Sequence, residues 1–306
     1  MSFHLFFCWD RQERIDFAAL RSWSEALACF ERNDNQLWYR NEDSGVYFSL
    51  DFEAKQPAEG EGPEIPEGYF DTGLSFKLTF NRPSYFGYEA MPVVENLSKR
   101  FGLCAFDPQA RNLENHLWRD VNSRDLLEGW LENNRNAILA MIEYAGLETP
   151  PQMSLEKSTY KWNYSIKKKE LQRKCGDQIF VPTLSPIRRR GSNQAQLAFA
   201  YTHNVPCLVP DSDWVLVVRN RKAPLSSATH SEVGFLSARQ FRELVSGHLE
   251  NFDSNMGSLR VLSPKATSDL DKQIQNCEFE YPMEEFEVLA PDGFVDIEIG
   301  PGSRPN

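Results

Sequence analysis

Apolar positions along the chain alternate between a spacing of two and a spacing of three to four, which predicts strands interleaved with helices. The aromatic run Phe3 to Trp9 reads as a buried first strand. Leu20, Trp23, Leu27 and Phe30 recur at helical spacing, so a helix is expected from Ile15 to Phe30 with Asp16 as its N-cap. Tyr39, Val46, Phe48, Leu50 and Phe52 alternate around Asn41-Glu42-Asp43-Ser44-Gly45, the pattern of a hairpin whose turn ends in glycine. Residues 54–71 are rich in Pro, Gly and Glu and read as an acidic loop. A strand over Leu74 to Phe80, a helix over Glu89 to Phe101 ended by Gly102, and a strand over Leu103 to Phe106 follow.

This order, β-α-β-β-β-α-β, predicts an α+β fold: a ferredoxin-like split β-α-β unit with an extra strand, its helices on one face of an antiparallel sheet. A further helix is expected over Ser123 to Tyr144 with Gly146 as its C-cap, and Thr149-Pro150-Pro151 marks a boundary. Two domains are therefore expected, 1–150 and 151–306, as the length also favours. The second is a mixed α+β domain with strands at 179–181, 196–201, 214–219, 286–289 and 294–299. Its expected helices run from Ser237 to Phe252, with Ser237 as cap, and from Asp269 to Gln275.

Charge changes this picture most. Residues 1–150 hold 25 acidic and 14 basic side chains, whereas 151–306 hold 19 of each. Within the second half, segment 156–190 has ten basic residues against three acidic ones, and after 190 nine basic residues meet sixteen acidic ones. A chain charge of −11 argues against generic nucleic-acid binding and favours a basic protein partner. The N-terminus lacks the basic region of a signal peptide, and no stretch reaches the roughly 18 apolar residues of a membrane helix. A cytoplasmic protein without membrane contact is expected, with its six scattered cysteines as thiols.

Motifs for catalysis are missing. The five histidines show no metal-ligand spacing, and GxSxG, P-loop and strand-linked GxGxxG patterns do not occur. No cofactor or metal site is expected. Carboxylates cluster at Glu284, Glu285 and Glu287 and at Asp292, Asp296 and Glu298; the pair Asp296 and Glu298 is expected on the solvent face of a strand. The connection Asn81 to Glu89 carries residue types enriched in recognition, so Arg82, Tyr85, Tyr88 and Glu89 form a candidate binding site, with Asp107 and Gln109 nearby. A second candidate is the basic patch Lys161, Trp162, Lys167, Lys168, Lys169, Arg188, Arg189 and Arg190, where aromatics interleave with cations as single-stranded nucleic acid requires.

The opening aromatic strand, Gly45-Val46-Tyr47-Phe48, the turn Arg82-Pro83-Ser84-Tyr85-Phe86-Gly87-Tyr88-Glu89-Ala90 and Asp107-Pro108-Gln109 together resemble bacterial proteins of the polymorphic-toxin immunity type. The resemblance covers the first 110 residues or so. It implies a non-catalytic protein that binds and masks a basic toxin domain. The alternatives are a hydrolase with a carboxylate site around Arg82, Glu89 and Asp107, and a nucleic-acid-associated protein using residues 157–190.

Overall fold

A computed structural model describes residues 1–11, 15–53, 65, 67–109, 117–118, 120–145, 148–222, 229–254, 256 and 259–297. The chain divides into two compact units, one formed by Met1–Thr149 and joined by Ile297, the other by Pro150–Asp296. Among the described residues no helix is long and apolar enough to cross a membrane. Most of the predicted acidic loop (54–64 and 66), Gly146, His116 and Glu298 lie outside the described residues.

In the first unit the elements are β1 (Ser2–Trp9), α1 (Phe17–Glu25), β2 (Phe30–Arg32), β3 (Gln36–Arg40), β4 (Tyr47–Phe52), β5 (Phe70–Thr79), α2 (Tyr85–Phe101), β6 (Cys104–Phe106), β7 (Leu117–Trp118) and α3 (Ser123–Ala145). The strands form one sheet in the order β2-β3-β4-β5-β1-β6-β7, and every neighbouring pair is antiparallel. Register follows the alternation. Leu37, Leu50, Phe76 and Leu5 lie in one row across four strands, and all are buried. The next row, Gln36, Asp51, Ser75 and Phe6, turns the other way; there Asp51 accepts from Gln36 at 2.6 Å and pairs diagonally with Lys77 at 2.6 Å.

The predicted first helix runs too far. Asp16 does cap it, its side chain accepting from the Ala18 N–H at 2.9 Å, but α1 stops at Glu25. Cys29 adopts a φ of 74°, a left-handed conformation that no right-handed helix continues, and Phe30 opens β2. The Phe30 ring meets Trp23, Tyr39 and Phe48, so its core position comes from strand pairing rather than from a helix face.

Helix α3 is held to α2 by Glu95, whose carboxylate accepts from the Ser123 N–H at 3.0 Å and pairs with Lys99. A carboxylate on the first exposed N–H groups of a helix is favoured by hydrogen bonding and by the helix dipole. The Lys99 and Ser123 hydrogen bonds hold the Glu95 carboxyl down to about 2. Its stabilisation is therefore complete above the usual carboxylate range, near 4.3, and fades as pH falls toward 2. We expect Glu95→Gln to lower Tm at pH 7 and to lose that deficit between about pH 4 and 2, which thermal unfolding across this range checks.

In the second unit, α4 (Leu155–Cys175) is followed by β8 (Leu184–Arg189), β9 (Ala195–Thr202), β10 (Cys207–Val209), β11 (Trp214–Lys222), β12 (Thr229–Ser237), α5 (Ala238–Val245), β13 (Leu249–Asn251), β14 (Arg260–Leu262), α6 (Pro264–Asn276), β15 (Tyr281–Pro282) and β16 (Phe286–Val288). One sheet has the order β15-β12-β11-β9-β8-β16, mixed because β9 and β11 run parallel; β10-β14-β13 form a small antiparallel sheet. Ser237 caps α5 as expected, but that helix ends at Val245, and a 3-10 turn leads into β13. The expected strand at 179–181 is a single bridge from Phe180 to Cys207. Over 294–297, the described part of the expected strand at 294–299, Val295 bridges to Gln152, and Asp296 is buried rather than on a solvent face.

Candidate binding site

Helix α2 begins four residues before the expected Glu89, so only Asn81 to Ser84 remain as the connection, and Tyr85 to Glu89 form its first turn. Tyr85 and Phe86 are both wholly buried and plug the core, which removes Tyr85 from any binding surface. Tyr88 is half-buried. Glu89, one turn further on, reaches the β3–β4 hairpin. Its Oε1 accepts from the Tyr39 hydroxyl (2.8 Å), the Asn41 side-chain amide (2.7 Å) and the Ser44 hydroxyl (3.1 Å). Burial, and then the Glu89 charge, push the Tyr39 hydroxyl well above its usual range, so it stays a donor. The result is a hairpin tip anchored to a helix through one carboxylate oxygen, with Glu42 and Asp43 exposed on it.

Arg82 serves the same corner. Its Nε and Nη2 donate to the Tyr47 hydroxyl at 3.1 and 2.6 Å, and Tyr47 stacks on Trp38 with centroids 5.9 Å apart. Asn134 of α3, wholly buried, fastens the backbone here: its Oδ1 accepts from the Asn81 N–H at 2.7 Å and its amide donates to the Arg82 carbonyl at 2.8 Å. Sequence reasoning placed Tyr39, Ser44 and Tyr47 in or beside the hairpin without assigning them to this site, and it passed over Asn134. Asn134 leaves a trace there, as a polar residue interrupting the helical series Trp130, Ala137, Ile138.

Asp107 and Gln109 have other partners. Asp107 is 2% exposed, and its carboxylate accepts from the Gln109 N–H at 2.8 Å. The Gln109 side chain extends the sheet, accepting from the His4 N–H and donating to the Ser2 carbonyl, both at 3.2 Å. Gln109 thus bonds to β1 and to Asp107, whereas Arg82 bonds to Tyr47 and Glu89 to the β3–β4 hairpin. A groove of about 450 Å³ lies instead beside Trp9, Arg11 and Phe101. The second unit has one of about 400 Å³ beside Arg242 and Arg260.

The basic patch falls into two parts. Arg188 pairs with Glu287, Arg189 with Glu285 at 2.7 Å, and Arg190 donates to the Glu284 carbonyl at 2.8 Å. Arg188 and Glu287 are directly opposed in the β8–β16 ladder and the other two contacts lie at its end, so two of the three arginines pair with carboxylates of the predicted acidic cluster. The remaining cations lie on α4. Lys161 is 3% exposed and faces inward, Trp162 and Lys167 are half-buried, Lys168 donates to the Thr183 hydroxyl at 2.5 Å, and Lys169 is exposed. Among the described residues, no three His, Cys, Asp or Glu side chains are grouped to hold a metal ion. Compared with known protein families, curated proteins and solved structures, the chain matches none.

Proposed function

We propose that this chain is a non-catalytic, cytoplasmic binding protein that docks a basic protein, in the manner of an immunity protein masking a toxin domain. The observation that carries this reading is the anchored hairpin tip. Glu89 fixes Asn41 and Ser44 on either side of exposed Glu42 and Asp43, giving a chain of net charge −11 a rigid acidic projection. Preorganised charge of this kind speeds association with a cation and selects its orientation. In the same unit, strand order β4-β5-β1-β6, with α1 after β1 and α2 after β5, supports a ferredoxin-like sheet extended by β2, β3 and β7.

Co-expression with the products of the flanking genes tests the proposal. One basic product is expected to co-purify and to lose its toxicity. Replacing Glu42 and Asp43 together by lysine should weaken that complex at least tenfold, about 1.4 kcal/mol. Retention of neither flanking product overturns the reading.

A further inference from the structure

Cys8 of β1 and Cys104 of β6 stand directly opposite each other in the antiparallel ladder. Directly opposed residues project to the same side of a sheet, with Cα atoms roughly 4.5 or 5.5 Å apart according to the type of pair. Both separations fall inside the roughly 4.4–6.8 Å that a disulfide spans. All six cysteines are described, and all are thiols. Only this pair is matched across a ladder among the described strands; Cys207, the other strand cysteine, faces Leu262. Their access to solvent differs, since Cys8 is wholly buried and Cys104 half-buried.

We propose that Cys8 and Cys104 are a redox-responsive dithiol, which a peroxide closes into a disulfide stapling the first strand to its neighbour β6. The more accessible Cys104 reacts first. Its thiolate sulfur attacks one peroxide oxygen, an S–O bond forms as the O–O bond breaks, and the departing hydroxide takes up a proton to leave as water. The Cys8 sulfur then attacks the Cys104 sulfenic acid. The S–S bond forms as the S–O bond breaks, and the second hydroxide leaves as water with the Cys8 proton. Two electrons pass from the dithiol to the peroxide, giving two waters; a thiol reductant reverses the change. Around Cys8 the titratable groups are Cys104 on β6 and Asp71 on β5. Burial, helped by these two, pushes the Cys8 thiol up to about 12, so the closing step is slow at neutral pH and quickens as pH rises.

The staple acts on a definite seam. Strand β6 runs into Asp107 and Gln109, and Gln109 already bonds the β1 backbone at Ser2 and His4. A disulfide at the Cys8 end would hold both ends of the β1–β6 pairing and suppress its opening.

Hydrogen peroxide on the full chain is the test, with peptide mapping and a thiol count in denaturant. The expected result is loss of two thiols, a Cys8–Cys104 cross-linked peptide, and a non-reducing Tm raised by about 5 °C. Both the link and the Tm rise should vanish with dithiothreitol and in Cys104→Ser, a variant that alters only a half-buried position. Binding of phenylarsine oxide, which bridges adjacent thiols, gives a second readout and should be lost in Cys104→Ser and in Cys8→Ala. Oxidation of Cys104 to a sulfinic acid without a link, or a link between any other pair, overturns the proposal.

Discussion

Replacing Arg219 by methionine is expected to destabilise the second unit by about 2–4 kcal/mol, because two carbonyls at a helix end lose a charged donor and a partly exposed carboxylate loses its ion pair. Arg219 on β11 is 3% exposed, and nearly all its donors are committed. Nε donates to Glu232 at 2.7 Å, while Nη1 donates to the carbonyls of Ile274 at 2.7 Å and Cys277 at 2.6 Å. Those carbonyls close the last turn of α6, where a cation also meets the negative end of the helix dipole. The guanidinium lies over the Phe279 ring at 4.3 Å, and Phe279 in turn covers Gly234, where an added Cβ would meet the ring at 2.4 Å.

Methionine matches much of the volume and supplies no donor, so two carbonyls and a carboxylate lose the guanidinium's hydrogen bonds together. Lysine should recover only part of the loss, because a single ammonium on a flexible stem cannot serve a carboxylate and two carbonyls in the planar fork that arginine provides. Urea unfolding of the three proteins measures this. A loss under about 1 kcal/mol for Arg219→Met would mean that the carbonyls need no guanidinium.

Nothing near Arg219 in the sequence announces this role. Its carbonyl acceptors lie more than fifty residues downstream at the end of another helix, and Glu232 is brought opposite it only by the β11–β12 ladder, so a local pattern carries no information about them. Period-two segments fared better. Phe3 to Trp9, Leu74 to Phe80 and the hairpin around Gly45 were legible because one face of each meets the core and the turn chemistry fixes the register. Helix α4 was illegible for the opposite reason. Its inward positions are Ser158, Lys161, Tyr164, Ser165 and Leu171, and Leu171 is the sole aliphatic residue among them, so no apolar stripe marks the helix. The basic patch was misleading in a related way. Composition finds the cations of Arg188 to Arg190 and the anions of Glu284 to Glu287 separately, while the β8–β16 pairing that brings Arg188 to Glu287 and Arg189 to Glu285 is a property of the fold. At the candidate site the sequence located Arg82 and Glu89 but not what they hold. The hairpin residues that answer Glu89 lie 45 to 50 positions earlier, and only strand pairing brings them near.

A valine at Gly87 is expected to cost about 3 kcal/mol in the first unit, and the sign of that effect depends on two opposing terms. In an open helix the loss of glycine would help, since even alanine gains about 1 kcal/mol over glycine in helix propensity. Gly87 is not in the open. A Cβ built there would lie 2.6 Å from Trp130 Cε3 and 2.7 Å from Leu127 Cδ1, closer than side-chain atoms tolerate. Trp130 is wholly buried and has no room to withdraw, so α2 and α3 must separate or the indole must leave its rotamer. Glu95 resists the first movement by tying α2 to the start of α3, and Asn134 resists it one turn beyond Trp130 by holding the Asn81–Arg82 backbone.

The clash is therefore local, which a double mutant reveals. Trp130→Leu alone should destabilise by leaving a cavity, and Gly87→Val alone by overpacking. Combined, each change fills or frees the space that the other disturbs, so the pair should be more stable than the sum of the two losses predicts by at least 1 kcal/mol or so. Additive losses in urea unfolding would mean that the two helices do not meet at Gly87.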